Sequence, residues 1–223
     1  MHVVVLLIVL VAVCLLPETA ASAGAQEATV EQGRLFSHPL AFSTFIGSAS
    51  VIGWAYGVNG MWQSVVPLSA LGSEPSQLLV AGLASWMLGI SALAQVLAFQ
   101  LDVRRILVPS LVVLAFGLGA SAWAVSRELA VVVWAATAVV GVGQGLSFRS
   151  SLAIAAESAT AEKQATAISL YYVFGYVMTA AAPLVSTHAS VSMVLAAMAA
   201  CCVLSALAIA LLWHRGRGVR GRL

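Results

Sequence analysis

The residues best placed for chemistry in this chain are polar groups set into long apolar runs. The stretch Gly141-Val-Gly-Gln-Gly-Leu-Ser-Phe-Arg149 ends in a full charge, inside a run that extends from about residue 129 to residue 156. A cation there is costly in lipid unless it snorkels, pairs or faces a water-filled path. The run closes near Glu157, which puts Arg149 about 12 Å from the helix end at 1.5 Å per residue. Three readings stay open. Arg149 is a snorkelling or structural residue paired with Glu157, a cavity residue meeting an anionic or polar solute, or the partner of an acid outside this sequence.

Other polar residues recur at helical spacing. Thr44, Ser48, Tyr56, Asn59 and Gln63 share one face, with Ile52 interrupting the series. Thr137, Gly141, Gly145 and Arg149 follow at four-residue steps, with Gln144, Phe148 and Ser151 beside them. Ser169, Tyr172, Tyr176 and Thr179 form a third stripe that Pro183 ends. Such faces line a solute path or make interhelical hydrogen bonds, each worth only about 0.6 kcal/mol on average. Gly141 and Gly145 form a GxxxG pair, the usual mark of close helix packing. The tyrosines pack as aromatics, bond Arg149 or bind a solute.

The chemistry these residues can do is recognition by hydrogen bond, not the breaking of bonds. No nucleophile stands beside a base, no loop is built to cradle phosphate, and Glu157, Glu162 and Lys163 form a polar turn, so an enzyme is not expected. Cys14, Cys201 and Cys202 lie in apolar runs without metal spacing and read as small apolar side chains. Neither a metal nor a cofactor is called for. No Asp or Glu lies in the core of any apolar run, so no proton-coupling group is visible, and His38, His188 and His214 read as interfacial.

The elements that must carry these residues are membrane helices. The chain has 223 residues, 61% hydrophobic and 8% charged, against about a quarter charged in soluble domains. Apolar segments are read at 2–16, 39–63, 77–99, 105–124, 129–156, 165–186 and 189–213, near the ~20 residues that cross a bilayer. Lipid demands internally satisfied backbone, so an all-α polytopic protein of about seven transmembrane helices is expected, with the bilayer as its partner. The net charge of +2 does not suggest nucleic acid. Turn chemistry separates the segments at Leu71–Ser76, at the charged turn Asp102-Val-Arg104-Arg105, at Ser126–Glu128, at Glu157–Gln164 and at Thr187–Ser190.

Segment 2–16 also reads as a secretory signal, with an Ala-Ser-Ala cleavage candidate after it. Charge favours a true span. With the N-terminus outside, Arg34, Arg104, Arg105, Lys163, Arg215, Arg217, Arg220 and Arg222 face the cytoplasm and only Arg127 faces out, Arg149 lying within a span. The basic stretch 214–223 then becomes a cytoplasmic tail beside the lipid of a plasma or inner membrane.

Leu15-Leu-Pro-Glu-Thr19 resembles the LPET that ends the sixth helix of major facilitator superfamily transporters. Leu97-Ala-Phe-Gln-Leu-Asp-Val-Arg-Arg-Ile-Leu107 resembles that family's LADRLGRRxLL motif between helices 8 and 9, with Asp102, Arg104 and Arg105 as its charged part. Phe99 stands in place of the motif acid, Gln100 in place of an arginine, and Asp102 in place of the glycine. Residues 141–152 are similar to the GxGxGxxFRGxL of a group of bacterial members, and Ala161–Ala165 and Ser169–Tyr176 to the segments that follow it there. The resemblance implies helices 6 to 12 of a twelve-helix secondary transporter, with 17–38 as the central cytoplasmic loop and 39–213 as the C-terminal six-helix bundle. It further implies that the helices carrying Thr44–Gln63 and Thr137–Arg149 line a cavity for a small solute. An N-terminal half or another copy would then complete the path, and the chain would be a truncated transporter. The alternative is a non-transporting scaffold or remnant acting through helix contacts.

Overall fold

The computed structural model describes residues 35–36, 39–71 and 76–220. The expectations for the span 2–16, its signal-like alternative and most of the loop 17–38 lie outside the described residues. Within them the chain is helical: α1 Pro39–Ser64, α2 Val66–Ala70, α3 Gln77–Leu97, α4 Val103–Ser126, α5 Ala130–Ser158, α6 Gln164–Val185 and α7 Val191–Arg220. A 3-10 turn, Ala161–Lys163, leads into α6. Six of these helices are long and apolar enough to cross a membrane. The architecture is an all-α polytopic bundle.

The breaks are set by local chemistry. The Ser76 hydroxyl caps α3 by accepting from Leu79 N at 3.3 Å. Asp102 caps α4 by accepting from Arg104 N at 2.9 Å, so Val103–Arg105, read as turn from sequence, already form the first turn of α4. An aspartate with a free N–H two residues on starts a helix rather than prolonging a loop. Glu128 takes a left-handed φ of 57° between α4 and α5. The short α2, with proline in its first turn, has no counterpart in the apolar pattern. The backbone of α7 runs on through the basic stretch as far as Arg220.

The packing order explains which faces stay open. α4 lies along both α5 and α7, α1 along α6, and α3 along α5, while α1 also crosses α5. α5 is therefore central and buries residues on several sides, from Val133 and Thr137 to Ser151 and Ile154. One core gathers Met61 and Trp62 with Met87, Leu114, Leu118, Val140 and Leu195. A second holds Phe45, Ile52, Ala155, Ala167 and Tyr171. A third joins Val51, Leu107, Leu111, Ile154 and Ile209. α3 turns Leu78, Trp86, Leu93, Val96 and Leu97 outward, as a lipid-facing helix does.

Candidate functional site

Three helices meet around α1. On one side the Trp62 indole N–H donates to Thr137 Oγ1 of α5 at 3.0 Å, fully buried. On the other, the Thr179 hydroxyl of α6 donates to the Tyr56 carbonyl at 3.2 Å. α1 approaches α6 so closely at Gly60 that a Cβ there would collide with the Thr179 carbonyl. These two attachments leave the α1 face of Tyr56, Asn59 and Gln63 between them.

That face is aromatic. Tyr56 of α1 lies 5.5 Å from Tyr176, 6.2 Å from Tyr172 and 6.0 Å from Phe148 of α5, centroid to centroid. Phe148 and Tyr172 close the group at 6.5 Å. Phe148, Tyr56 and Tyr172 are half-buried, while Tyr176 is 64% exposed. The hydroxyls of Tyr56, Tyr172 and Tyr176 make no hydrogen bond to another described residue. Beside the rings, Asn59 Oδ1 is buried without a hydrogen-bond partner among the described residues, and Gln63 is exposed.

The rest of the Thr44–Gln63 stripe behaves differently. Ser48 is buried and its hydroxyl donates back to the Thr44 carbonyl at 3.1 Å. Ile52 is fully buried as well, so the half-buried Thr44 is cut off from the part of the stripe that runs from Tyr56 to Gln63. Of the α6 stripe, Ser169 is exposed, while Thr179 is spent on α1 and on Gly175. Sequence reading passed over Tyr171. It is fully buried and shares a 2.7 Å hydrogen bond with Ser151 of α5. It sits one helical step off the Tyr172–Tyr176 stripe, so only a knowledge of which helix faces it singles it out.

A second polar group joins α3 to α5. The Ser91 hydroxyl donates to Gln144 Oε1 at 2.5 Å, and Gln95 Nε2 donates to Ser91 Oγ at 3.4 Å. Gln144 is thus part of a buried interhelical bond. Gly141 and Gly145 lie against α3 on the same side. A Cβ at Gly141 would come within 2.7 Å of the Met87 carbonyl, and one at Gly145 would overlap the Ser91 carbonyl. The glycine between them, Gly143, faces α4, where a Cβ would meet Leu114 N at 2.5 Å.

Arg149 does not pair with Glu157. Its Nη2 donates to the Phe99 carbonyl at 2.6 Å, in the turn after α3, while Nη1 is buried and has no partner among the described residues. A guanidinium on the last carbonyls of a helix is favoured by the negative end of the helix dipole. Glu157 is taken by Arg104 of α4 at 2.9 Å, and Arg105 pairs with Asp102 at 3.3 Å. Arg149 and Arg104 together fasten the α3–α4 turn to α5. Both ion pairs are exposed, at 61% and 53% for the Arg104 and Glu157 side chains, so each adds little stability by itself. Among the described residues no cluster of His, Cys, Asp and Glu is arranged to hold a metal.

Residues 1–183 match the sequence profile of the Major Facilitator Superfamily. The chain belongs to the major facilitator superfamily. Superfamily members are secondary transporters of small solutes, not enzymes, so this multi-pass bundle is placed among membrane transport proteins. Neither the curated proteins nor the solved structures compared with it gave a match.

Proposed function

We propose that this chain forms the solute-holding half of a major facilitator secondary transporter, in which two six-helix halves rock about a central site. The six described spans supply one half. The other comes from a second chain, from another copy, or from sequence outside these 223 residues, in keeping with the truncated form implied by the resemblance. The lysine and arginine distribution supports a C-terminus in the cytoplasm of a plasma or inner membrane.

One observation carries this reading. The face that α1, α5 and α6 share holds Asn59 Oδ1 and the hydroxyls of Tyr56, Tyr172 and Tyr176, none with a hydrogen-bond partner among the described residues. Polar groups left open at membrane depth belong against water or solute, not lipid. Thr137, Gln144, Thr44 and Ser48 then act behind that face as supports. Arg149 holds the α3–α4 turn with one nitrogen, and its other nitrogen, buried without a partner among the described residues, is the group that a polar or anionic part of the solute would satisfy.

The test is counterflow of a panel of radiolabelled small solutes in proteoliposomes that hold the chain together with its completing half, with protein insertion measured in parallel. At least one solute should accumulate. Arg149→Gln should lower its rate about tenfold, the cost of one charge-assisted hydrogen bond, at unchanged insertion. Equal rates for both proteins would sink the role given to Arg149.

A further inference from the structure

Tyr172 and Tyr176 do not lie where tyrosines usually sit in a membrane. Tyr176 is twelve residues after Gln164 and nine before Val185, the ends of α6. At 1.5 Å per residue it is about 18 Å from one end and about 14 Å from the other. Tyr172 is about 12 Å from the nearer end on the same count. Aromatic belts form at the two interfaces, where the hydroxyl reaches water. Two phenols near mid-span, one of them 64% exposed, need another explanation.

The geometry supplies it. Rings from three helices converge with interplanar angles from 32° to 87°, so the group presents both edges and faces. A planar ring can stack on one face and meet the edges of the others, the arrangements aromatic pairs prefer. Asn59 lies three residues after Tyr56 on the same side of α1, and its buried oxygen, an acceptor, has no donor among the described residues. The charge of the guest is also constrained. No described span has an Asp or Glu in its core, so a cationic guest would find only the ring faces to meet its charge. The ring faces carry negative quadrupole, which disfavours an anion.

We propose that Tyr56, Phe148, Tyr172 and Tyr176, with Asn59 beside them, recognise a neutral solute bearing a planar ring and an N–H or O–H at its edge. The identity of this solute as the transported one rests on the transport reading above. The recognition itself does not.

The experiment uses the full chain in nanodiscs and equilibrium dialysis with three probes. Nicotinamide is planar and neutral with an amide N–H, cyclohexanecarboxamide is a neutral amide on a saturated, non-planar ring of the same size, and 1-methylnicotinamide is the N-methylated cation. Nicotinamide should bind about tenfold tighter than either, roughly the worth of a stacked aromatic pair. Tyr176→Ala should erase most of that preference, and Tyr176→Phe, which keeps the ring, should retain it. Tyr176 is exposed, so both variants should unfold at the parent midpoint. Equal binding of the planar and saturated amides overturns the proposal, as does tighter binding of the cation or an intact preference in Tyr176→Ala. A planar preference without any solute counterflow by the completed two-half assembly removes the transport reading alone. Counterflow without a planar preference removes this one alone.

Discussion

Toward α3 and α4, α5 shows glycine; toward α1 and α6 it shows Phe148, with three tyrosines around it. The first surface lets backbones approach until no side chain fits between them. Across the second, α1 still packs on α5, but α5 touches α6 far less than it touches α4 or α3. Lipid offers no hydrophobic drive for helix association, so cohesion has to come from close van der Waals contact and from hydrogen bonds. The glycine side therefore carries the cohesion. The aromatic side is released from it and can stay open.

The contrast breaks most visibly at Gly145. Gly145→Leu places a side chain where the Ser91 carbonyl of α3 now lies, and overpacking against backbone should cost about 3 kcal/mol. Reversible unfolding in bicelles would show it as a lower midpoint; an unchanged midpoint would mean that α3 and α5 are not held by this contact. A smaller effect is expected at the boundary between the two surfaces. Tyr171→Phe removes the bond to Ser151, which still donates to the Phe148 carbonyl at 3.2 Å, so the loss should be about 0.6 kcal/mol. A loss above about 2 kcal/mol would show that Tyr171 does more than bridge α5 and α6. The smallest change has the opposite sign. Gly89 faces open space, with nothing within 4 Å of an added Cβ. Gly89→Ala should stabilise α3 by about 0.5 kcal/mol through helix propensity alone, and a drop in midpoint would mean that this face is also packed.

Much of the architecture was legible because lipid reduces the grammar to apolar length and turn residues. The six described spans begin and end within about two residues of the apolar segments in most cases, since caps such as Asp102 and breakers such as Ser126-Arg-Glu128 sit at their ends. Helix α2 was not legible, because five residues beside a long apolar run leave no periodic mark of their own. The site was legible as faces but not as partners. Spacing placed Gln144 and Arg149 on or beside one stripe. It could not say that Gln144 meets Ser91, or that Arg149 prefers a backbone carbonyl fifty residues back to the carboxylate of Glu157 on its own helix. Tyr171 was missed for the same reason, since its significance lies in Ser151, twenty residues away on another helix.

The alternating glycines also fix the phase of α5. Gly141 and Gly145 serve one neighbour and Gly143 serves another, so the helix cannot turn about its axis without driving a side chain into α3 or α4. One residue added upstream of Gly141 would rotate the glycines by about 100° relative to Val133 and Thr137. The helix would still form, yet it would address the wrong neighbours. For this element the count of residues matters as much as their identity. Point substitutions on its open face are cheap, while a single insertion or deletion reads as a frameshift in packing.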